Sequence, residues 1–228
     1  MSMNNVKIIT IDGPSGSGKG TISRILAEQL GFHYLDSGAL YRLLGLVAVR
    51  HGIEISINAD LTQLAKNMDV SFQAKADGHN IVLLEGEDVT DELRTEETGA
   101  LASRVAENPR VRSALLERQH QFARLPGLVA DGRDMGTKVF PEAQLKIFLT
   151  ASIEERASRR YKQLLEKGEN VKLRALEEQV RSRDKRDMNR ETSPLAAATD
   201  AVEVDSSDLT IQEAVDSVQN LAILRGLL

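Results

Sequence analysis

The chain of 228 residues contains no cysteine and no tryptophan, and it has only three tyrosines and five phenylalanines. The absence of cysteine excludes disulfides, thiol nucleophiles and thiolate metal sites. So few aromatic rings disfavour a base-stacking platform for single-stranded nucleic acid. No apolar run approaches the roughly 20 residues that cross a bilayer, and the first seven residues lack the apolar block of a signal peptide. These absences predict a cytoplasmic protein that does not bind a membrane.

The charge balance and the composition narrow the class further. Asp and Glu outnumber Lys and Arg by 34 to 29, and the resulting net charge of −5 disfavours wrapping of duplex nucleic acid. The chain is 41% hydrophobic and 28% charged, close to the globular average, which excludes disorder throughout. We therefore expect small-molecule partners and not nucleic acid. As a separate expectation, we take the protein to be a monomer.

Short β-branched runs alternate with helical patterns along most of the chain. The runs at 6–11, 32–35, 127–131, 145–149 and 201–204 are typical of buried strands, and apolar residues at three/four spacing lie between them. A strand–helix–strand order within about 30 residues is the βαβ unit of a parallel sheet. The sequence therefore predicts an α/β fold with about five parallel strands and helices on both faces.

The pattern changes between residues 61 and 106. A short helix is followed there by two strands that Asp77-Gly78 would join as a hairpin. Antiparallel strands inside an alternating α/β chain indicate an inserted subdomain. We therefore expect a core at 1–60 and 107–228 and a small insert at 61–106.

Capping boxes predict the starts of two helices in the second half of the chain. Ser152 with Glu155 and Thr210 with Glu213 both have the required spacing. In such a box, each side chain caps the backbone N–H of the other residue, which fixes where the helix begins.

A glycine-rich segment stands where the first strand passes into the first helix. Its residues are Gly13, Pro14, Ser15, Gly16, Ser17, Gly18, Lys19, Gly20 and Thr21. Glycines let the backbone curl around a phosphate, and the helix N-terminus adds positive partial charge. Lys19 would reach the β- and γ-phosphates of ATP, and the Thr21 hydroxyl would help to place Mg²⁺. The general pattern has Ser or Thr directly after the lysine, whereas Gly20 intervenes here, as in nucleoside monophosphate kinases.

This phosphate loop alone leaves several classes open. The usual GTPases are excluded because the chain has no Asn-Lys-x-Asp motif. Adenylate kinases share Gly-Lys-Gly-Thr. Small-metabolite kinases of the shikimate type usually place Ser or Thr directly after the lysine, and a nucleotide-sensing module could keep such a loop without catalysis. The motifs further along the chain must decide.

Five downstream motifs narrow the choice. They are residues 35–42 (LDSGALYR), 85–89 (EGEDV), 109–112 (PRVR), 131–137 (DGRDMGT) and 183–190 (RDKRDMNR). Together with the phosphate loop they closely resemble the bacterial cytidylate kinase family, over nearly the whole chain and in the family's order. The resemblance implies transfer of the γ-phosphoryl group of ATP to CMP or dCMP with Mg²⁺. It also implies a parallel-sheet core, an NMP-binding insert and a short lid at about 160–172, with Lys167 near its tip.

The resemblance also assigns roles to residues. The expected acceptor-phosphate contacts are Arg42, Arg133 and Arg190, with Ser37 nearby. The expected sugar contacts are Arg183 and Asp187. The expected base contacts are Ser103, Arg112 and Asp134. Arg159 is expected to reach the ATP phosphates, so the catalytic residues would be Lys19, Arg133, Arg159 and Arg190.

The chemistry of phosphoryl transfer agrees with this set. A nucleotide phosphate has a second pKa near ~6, so it is largely dianionic at pH 7 and needs no general base. The difficulty is to bring two polyanions together, which calls for fixed cations and Mg²⁺. The chain has 19 arginines against 10 lysines, and arginine suits a bidentate grip on phosphate.

The base contacts predict a preference for CMP over UMP. Cytosine carries an amino group at N4, which would donate to the Asp134 carboxylate. Uracil carries an acceptor at O4, which would face the same carboxylate without a hydrogen bond. A contact of this kind costs ~1–3 kcal/mol.

Three charged residues keep two interpretations each. Asp131 ends a buried strand as a carboxylate near Mg²⁺ would, and it could equally cap the turn at Gly132. Arg156 and Arg160 lie on one helix face, where they could form surface salt bridges or contact a ligand.

Overall fold

Strands and helices alternate in the computed structural model, which describes residues 6–55, 59–74, 80–166 and 168–228. The strands of these ranges are β1 (Lys7–Asp12), β2 (His33–Asp36), β3 (Val70–Ala74), β4 (Asn80–Leu84), β5 (Glu87–Asp88), β6 (Gly127–Gly132), β7 (Leu145–Thr150) and β8 (Val202–Asp205). The α-helices are α1 (Lys19–Leu30), α2 (Ser37–Arg50), α3 (Ala59–Asn67), α4 (Glu96–Val105), α5 (Pro109–His120), α6 (Ile153–Glu166), α7 (Leu173–Met188) and α8 (Ile211–Leu224). The chain divides into two units, Met1–Asp36 with His120–Leu228 and Ser37–Gln119.

The first unit is built on a parallel sheet. Within the described residues it has five strands in the order β2-β6-β1-β7-β8, and every neighbouring pair is parallel. All six residues of β6 are buried, as in a strand whose two faces are both covered. Ile9 and Ile11 of β1 pack in one apolar cluster with residues of α1 and α8, such as Leu26 and Val215. The predicted five-stranded parallel α/β sheet is confirmed.

The sheet brings polar residues to one edge. Asp12 at the end of β1 lies opposite Gly132 of β6, and Asp36 at the end of β2 lies opposite Asp131. Because the strands are parallel, their carboxyl ends meet at the same edge, where ligands bind in open α/β sheets.

Helices α6 and α7 pack against each other through a small apolar cluster of their own. Ala157 and Leu164 of α6 meet Leu176 of α7 there, and Tyr161 and Val180 pack around them. The residue range predicted for the lid, about 160–172, includes the end of α6 and the connection from α6 to α7. Lys167, predicted near the lid tip, lies outside the described residues.

One of the two predicted capping boxes is complete. At the start of α8, Thr210 and Glu213 cap each other's backbone N–H groups, as predicted. At the start of α6, the Ser152 hydroxyl accepts from the Glu155 N–H at 3.1 Å. The other predicted hydrogen bond, from the Ser152 N–H to the Glu155 side chain, is wrong, because the Ser152 N–H donates to Ser207 Oγ instead.

The second unit contains α2 to α5 and an antiparallel sheet of order β3-β4-β5. The two strands of the predicted hairpin are confirmed as β3 and β4, and the predicted turn at Asp77-Gly78 lies outside the described residues. A Cβ on Gly45 of α2 would lie 2.8 Å from Leu101 Cβ of α4, so the two helices cross closely there. The insert predicted at 61–106 lies within this unit, and its separate status stays a prediction.

Within the described part of the chain, no helix is both long enough and apolar enough to span a membrane.

Candidate active site

The phosphate loop occupies residues 13–18, between β1 and α1. A Cβ on Gly13 would lie 2.1 Å from the Leu149 carbonyl oxygen, so only glycine lets the loop pass this close to β7. Gly18, the N-cap of α1, has a left-handed φ of 90° and makes no side-chain cap. Ser17 is fully buried, and its hydroxyl has no hydrogen-bond partner within the described residues. This loop therefore offers an uncapped helix N-terminus and a spare hydroxyl to an anion.

Lys19 is the first residue of α1 and points back into the loop. Its Nζ donates to the Pro14 carbonyl oxygen at 3.1 Å. Burial lowers the pKa of Lys19 to about 7, the charges of Arg133 and Arg183 lower it further, and Asp131 and Asp36 oppose the shift. Three cations thus gather at the loop, where they repel one another.

Asp131 lies beside this lysine at the end of β6. Tyr34 of β2 donates its phenolic O–H to Asp131 Oδ2 at 2.6 Å. Burial raises the pKa of Asp131 to about 7, the Asp36 charge raises it too, and Lys19 opposes the shift. A Cβ on Gly20 would lie 3.6 Å from the same carboxylate oxygen. The carboxylate is therefore held against the start of α1.

The donors at this point fit Mg²⁺. Mg²⁺ prefers oxygen ligands, keeps several waters and is usually bound through one or two carboxylates and the substrate phosphates. Asp131 supplies such a carboxylate, and Thr21, exposed in the first turn of α1, supplies a hydroxyl. No group of three or more His, Asp or Glu side chains among the described residues could hold a metal by itself.

Asp12 holds the turn that follows β6. Its two carboxylate oxygens accept from the N–H groups of Met135 and Gly136, each at 2.8 Å. Burial raises the pKa of Asp12 to about 6, and the two backbone N–H groups oppose the shift. Asp134, buried in the same turn, is the N-cap of a π-helix at Met135–Val139. The position of the predicted base-reading carboxylate thus depends on Asp12.

The predicted acceptor contacts of the first unit lie together. Arg133 Nε donates to Asp187 Oδ2 of α7 at 2.9 Å. Burial acts to raise the pKa of Asp187, but the charges of Arg133, Arg190 and Arg183 outweigh it and hold this pKa below its usual value. Arg190 also donates to the Ser193 carbonyl oxygen at 3.0 Å. Three guanidinium groups therefore surround one buried carboxylate.

Arg159 of α6 contacts the phosphate loop directly. Its guanidinium donates to the Ser17 carbonyl oxygen at 3.3 Å, to the Ser206 carbonyl oxygen at 2.6 Å and to the Glu155 carboxylate at 2.9 Å. The nitrogen Nη1 would lie 3.7 Å from a Cβ on Gly18. Arg159 thus lies beside the loop at the start of α1.

Arg156 does not form a surface salt bridge. Its side chain is buried and makes two hydrogen bonds to the Asp184 carboxylate of α7. It also donates to the Ser15 carbonyl oxygen at 3.0 Å and to the Ala151 carbonyl oxygen at 2.9 Å. Arg160, one turn further along α6, donates to Gln163 at 3.4 Å.

The second unit holds the other predicted acceptor contacts. Arg42 of α2 donates to the Leu93 carbonyl oxygen at 2.6 Å. The Arg112 guanidinium lies over the Tyr41 ring, 5.5 Å from its centroid, which fixes its plane. The Ser103 hydroxyl donates to the Gly99 carbonyl oxygen at 3.2 Å. Ser37 is buried at the start of α2.

Tyr34 and Asp184 are missed by the sequence reasoning. Tyr34 could be found only by knowing that β2 pairs with β6, because its partner Asp131 lies far along the chain. Asp184 looks like one more solvated charge in an Arg-rich helix. Its spacing of three from Asp187 is the one available signal, since that spacing puts both on one helix face.

The fold and the site together define the class. A phosphate loop between the central strand of a parallel sheet and its helix, with a lysine that points back into the loop and arginines nearby, is that of a P-loop nucleotide-binding protein. The profile of the cytidylate kinase family matches residues 9–223. The chain belongs to the cytidylate kinase family, which confirms the resemblance found in its motifs.

Curated cytidylate kinases are similar in sequence to this chain over nearly its full length. The chain is 56% identical to the cytidylate kinase of Stutzerimonas stutzeri (strain A1501) over 214 residues, 93% of both chains. It is 53% identical to that of Pseudomonas fluorescens (strain SBW25) over 226 residues, 98% of this chain and 99% of the relative.

Solved structures that align with the chain are more distant. A gluconokinase from Sinorhizobium meliloti 1021 aligns with a TM-score of 0.48 at 16% identity, covering 97% of this chain and 95% of that one. A shikimate kinase from Bacteroides thetaiotaomicron aligns with a TM-score of 0.45 at 13% identity, covering 94% and 97%. Likeness at this level carries no functional information.

Proposed function

We propose that the protein transfers the γ-phosphoryl group of ATP to CMP and dCMP, which yields ADP and CDP or dCDP. The observation that carries this proposal is the gathering of Lys19, Arg133 and Arg183 at the phosphate loop. Three cations held so close disfavour one another's charge, and a bound polyanion removes that cost. Membership of the cytidylate kinase family supports the choice of acceptor.

The acceptor residues act by positioning. Arg42, Arg133 and Arg190 would hold the CMP phosphate with Ser37 nearby, and Arg183 and Asp187 would hold the sugar hydroxyls. An oxygen of this phosphate forms the new bond to the γ-phosphorus, and the bond from that phosphorus to the β–γ bridging oxygen breaks with its electron pair left on ADP. Because the nucleophile is already a dianion, no residue needs to remove a proton.

The donor residues neutralise the charge that develops on the transferred group. Lys19 and the backbone N–H groups of residues 13 and 15–18 would bind the β- and γ-phosphates, and Arg159 would reach them from α6. Mg²⁺, when bound, would add positive charge at the same phosphates. Asp131 and Thr21 are the residues that would hold it.

The choice of base would fall to Asp134, Arg112 and Ser103. A carboxylate at Asp134 accepts from the cytosine amino group and repels O4 of uracil. Burial supports this role, because Asp134 is 4% exposed and an unmade hydrogen bond there cannot be replaced by water.

A panel of nucleoside monophosphates tests this function. The protein is mixed with MgATP and, in turn, CMP, dCMP, UMP and AMP, and the ADP that forms is measured. We expect turnover with CMP and dCMP and a kcat/KM for UMP lower by roughly tenfold or more.

Other results of this panel would favour a different function or a different role for Asp134. Binding of ATP without turnover of any acceptor would indicate a nucleotide-sensing module. Equal kcat/KM for CMP and UMP would remove Asp134 from base recognition. Cytoplasmic location and a monomeric state stay predictions from the sequence.

A further inference from the structure

Helix α7 is held by two different means along its length. Leu176 and Val180 in its first half pack into the apolar cluster with α6. Its second half carries two buried carboxylates, Asp184 and Asp187, which are 6% and 5% exposed. Because these are three residues apart, they lie on one helix face. Ion pairs therefore hold the half of α7 that carries the predicted sugar contacts.

The two carboxylates have different partners. Asp187 pairs with Arg133, which belongs to the predicted acceptor contacts. Asp184 pairs with Arg156 of α6, which belongs to no predicted contact set. The pair is buried, and Nη1 and Nη2 of Arg156 each donate to one oxygen of the Asp184 carboxylate. This bidentate geometry fixes the orientation of both side chains.

Arg156 also touches the phosphate loop. The same Nη1 that donates to Asp184 donates to the Ser15 carbonyl oxygen, and a Cβ on Gly16 would lie 3.2 Å from Arg156 Cβ. Its Nε is occupied by the Ala151 carbonyl oxygen at the end of β7. One guanidinium thus joins the loop, the sheet and α7.

We propose that Asp184 is a positioning residue, whose pair with Arg156 fixes Arg183 and Asp187 of α7 relative to the phosphate loop. A buried ion pair adds little net stability compared with apolar packing, so its value here lies in orientation. Arg183 is next to Asp184 in sequence, and Asp184 shares one nitrogen of Arg156 with Ser15 of the loop, so this part of α7 borders the loop. The inference rests on the proposed function, because it takes Arg183 and Asp187 as acceptor contacts.

The variant Asp184→Asn tests the proposal. It removes the charge with little change in shape and leaves the bonds from Arg156 to Ser15 and Ala151 available. We expect KM for CMP to rise by roughly ten- to a hundredfold, since small displacements of positioning groups have effects of that size. KM for ATP should stay within about twofold of the wild-type value, because the loop keeps its tie to Arg156.

A second ion pair of the same unit supplies the matched control. Lys146 of β7 is buried and pairs with Asp200 at 2.9 Å, and neither residue belongs to a predicted site. Asp200→Asn should lower the melting temperature, because it leaves a buried lysine unpaired, while both KM values stay at wild type. A purely structural role for Asp184 would give this same pattern, and that result would overturn the proposal.

The double variant Arg156→Gln with Asp184→Asn covers the case in which the single variant does not fold. It leaves no unpaired buried charge, and it removes the tie to the loop as well. We expect KM to rise for both CMP and ATP. A double variant with the wild-type KM for CMP would overturn the proposal. A wild-type protein that phosphorylates no nucleoside monophosphate would overturn the proposed function and this inference with it.

Discussion

At the scale of single residues, the site places ionisable groups where burial works against their charge. Asp131 and Asp12 are buried and Lys19 is partly buried near the ends of the central strands, and each has a pKa displaced toward neutrality. Such displacement is common where a site is arranged for a charged ligand. For Lys19 the cost to stability is part of the function, because the phosphates of a bound nucleotide would supply its counter-charge.

Lys19→Met tests this cost and the role of the lysine together. Because the pKa of Lys19 is lowered from 10.5 to about 7, the folded state loses stability relative to the variant as pH falls from 10 toward 7. At pH 7 we expect the variant to melt no lower than wild type, with kcat lower by at least roughly a hundredfold. Melting curves and initial rates measure both.

Lys146→Met is the matched control for that experiment. It removes a buried lysine of the first unit that is paired with Asp200, and neither of these residues belongs to a predicted site. Its kcat should equal that of wild type. An unchanged kcat in Lys19→Met would remove Lys19 from the mechanism.

Asp12→Asn isolates the titration of the buried carboxylate that holds the turn after β6. The pKa of Asp12 is raised from 3.8 to about 6, so its contribution to stability is complete below pH 4 and is lost as pH rises through 6. The free energy of unfolding of wild type, relative to the variant, should fall by roughly 3 kcal/mol across this window. Urea unfolding at pH 4, 5, 6 and 7 measures the difference, and a constant difference would contradict the raised pKa.

At the scale of the elements, close backbone approach determines the phosphate loop. The loop passes so close to Leu149 of β7 that Gly13 has no room for a side chain. Gly20 has ordinary space around it, because the nearest atom to an added Cβ would be Asp131 Oδ2 at 3.6 Å. A side chain at position 13 would therefore clash with the backbone, whereas a methyl group at position 20 would fit.

Gly13→Ala and Gly20→Ala form a pair of tests. Alanine at 13 forces the backbone at Leu149 or the loop to move, and overpacking of this kind costs about 1–3 kcal/mol. We expect Gly13→Ala to lower the free energy of unfolding by that amount and to lose ATP binding. Gly20→Ala should keep the stability of wild type or exceed it, because alanine favours a helix. Urea unfolding compares the two, and equal stabilities would contradict the account of the loop.

The elements of the parallel sheet were predictable because local pattern and burial agree in them. The runs at 6–11 and 145–149 became β1 and β7 within a residue of the predicted bounds. The short strand β5 has no such pattern, because two residues cannot show a periodicity. The π-helix after β6 has none either, because it depends on Asp12, which is far away in the sequence. Local sequence signals cannot show a partner that only the fold brings near.

The same limit applies to the candidate site. The phosphate loop could be read directly, because its chemistry is contiguous in the chain. The partners of Arg133 and Arg156 could not, because each pairs with a carboxylate on α7 that the sequence presents among many charges. The capping box at Ser152 fails in one half for a related reason, since Ser207 takes the N–H that Glu155 was expected to cap.

At the scale of the whole molecule, the two units differ in how their chain is arranged. The second unit is one continuous segment, whereas the first is made of two segments on either side of it. In the first unit β1 pairs with β6 and β7, which follow more than half the chain later, as Lys7 opposite Gly127 shows. Contacts of such long sequence separation form slowly.

Pulse-labelled hydrogen exchange during refolding tests this order. We expect backbone N–H groups of β4, which pairs with nearby β3, to become protected before those of Ile9 and Ile11 in β1. Mass spectrometry of labelled peptides resolves the two regions. Protection of β1 before β4 would show that the long-range sheet forms first.

The central position of β1 has a consequence for how a cell makes this protein. Translation delivers its isoleucine-rich segment before the second unit, and both of its neighbours in the sheet leave the ribosome only after the whole of that unit has been synthesised. During that interval α1 can cover one face of the segment, but both of its edges lack a strand to pair with, and unpaired strand edges in nascent intermediates favour aggregation or chaperone binding. The strand that leads into the phosphate loop therefore waits longer for its partners than β3, whose partner β4 is the next strand along the chain.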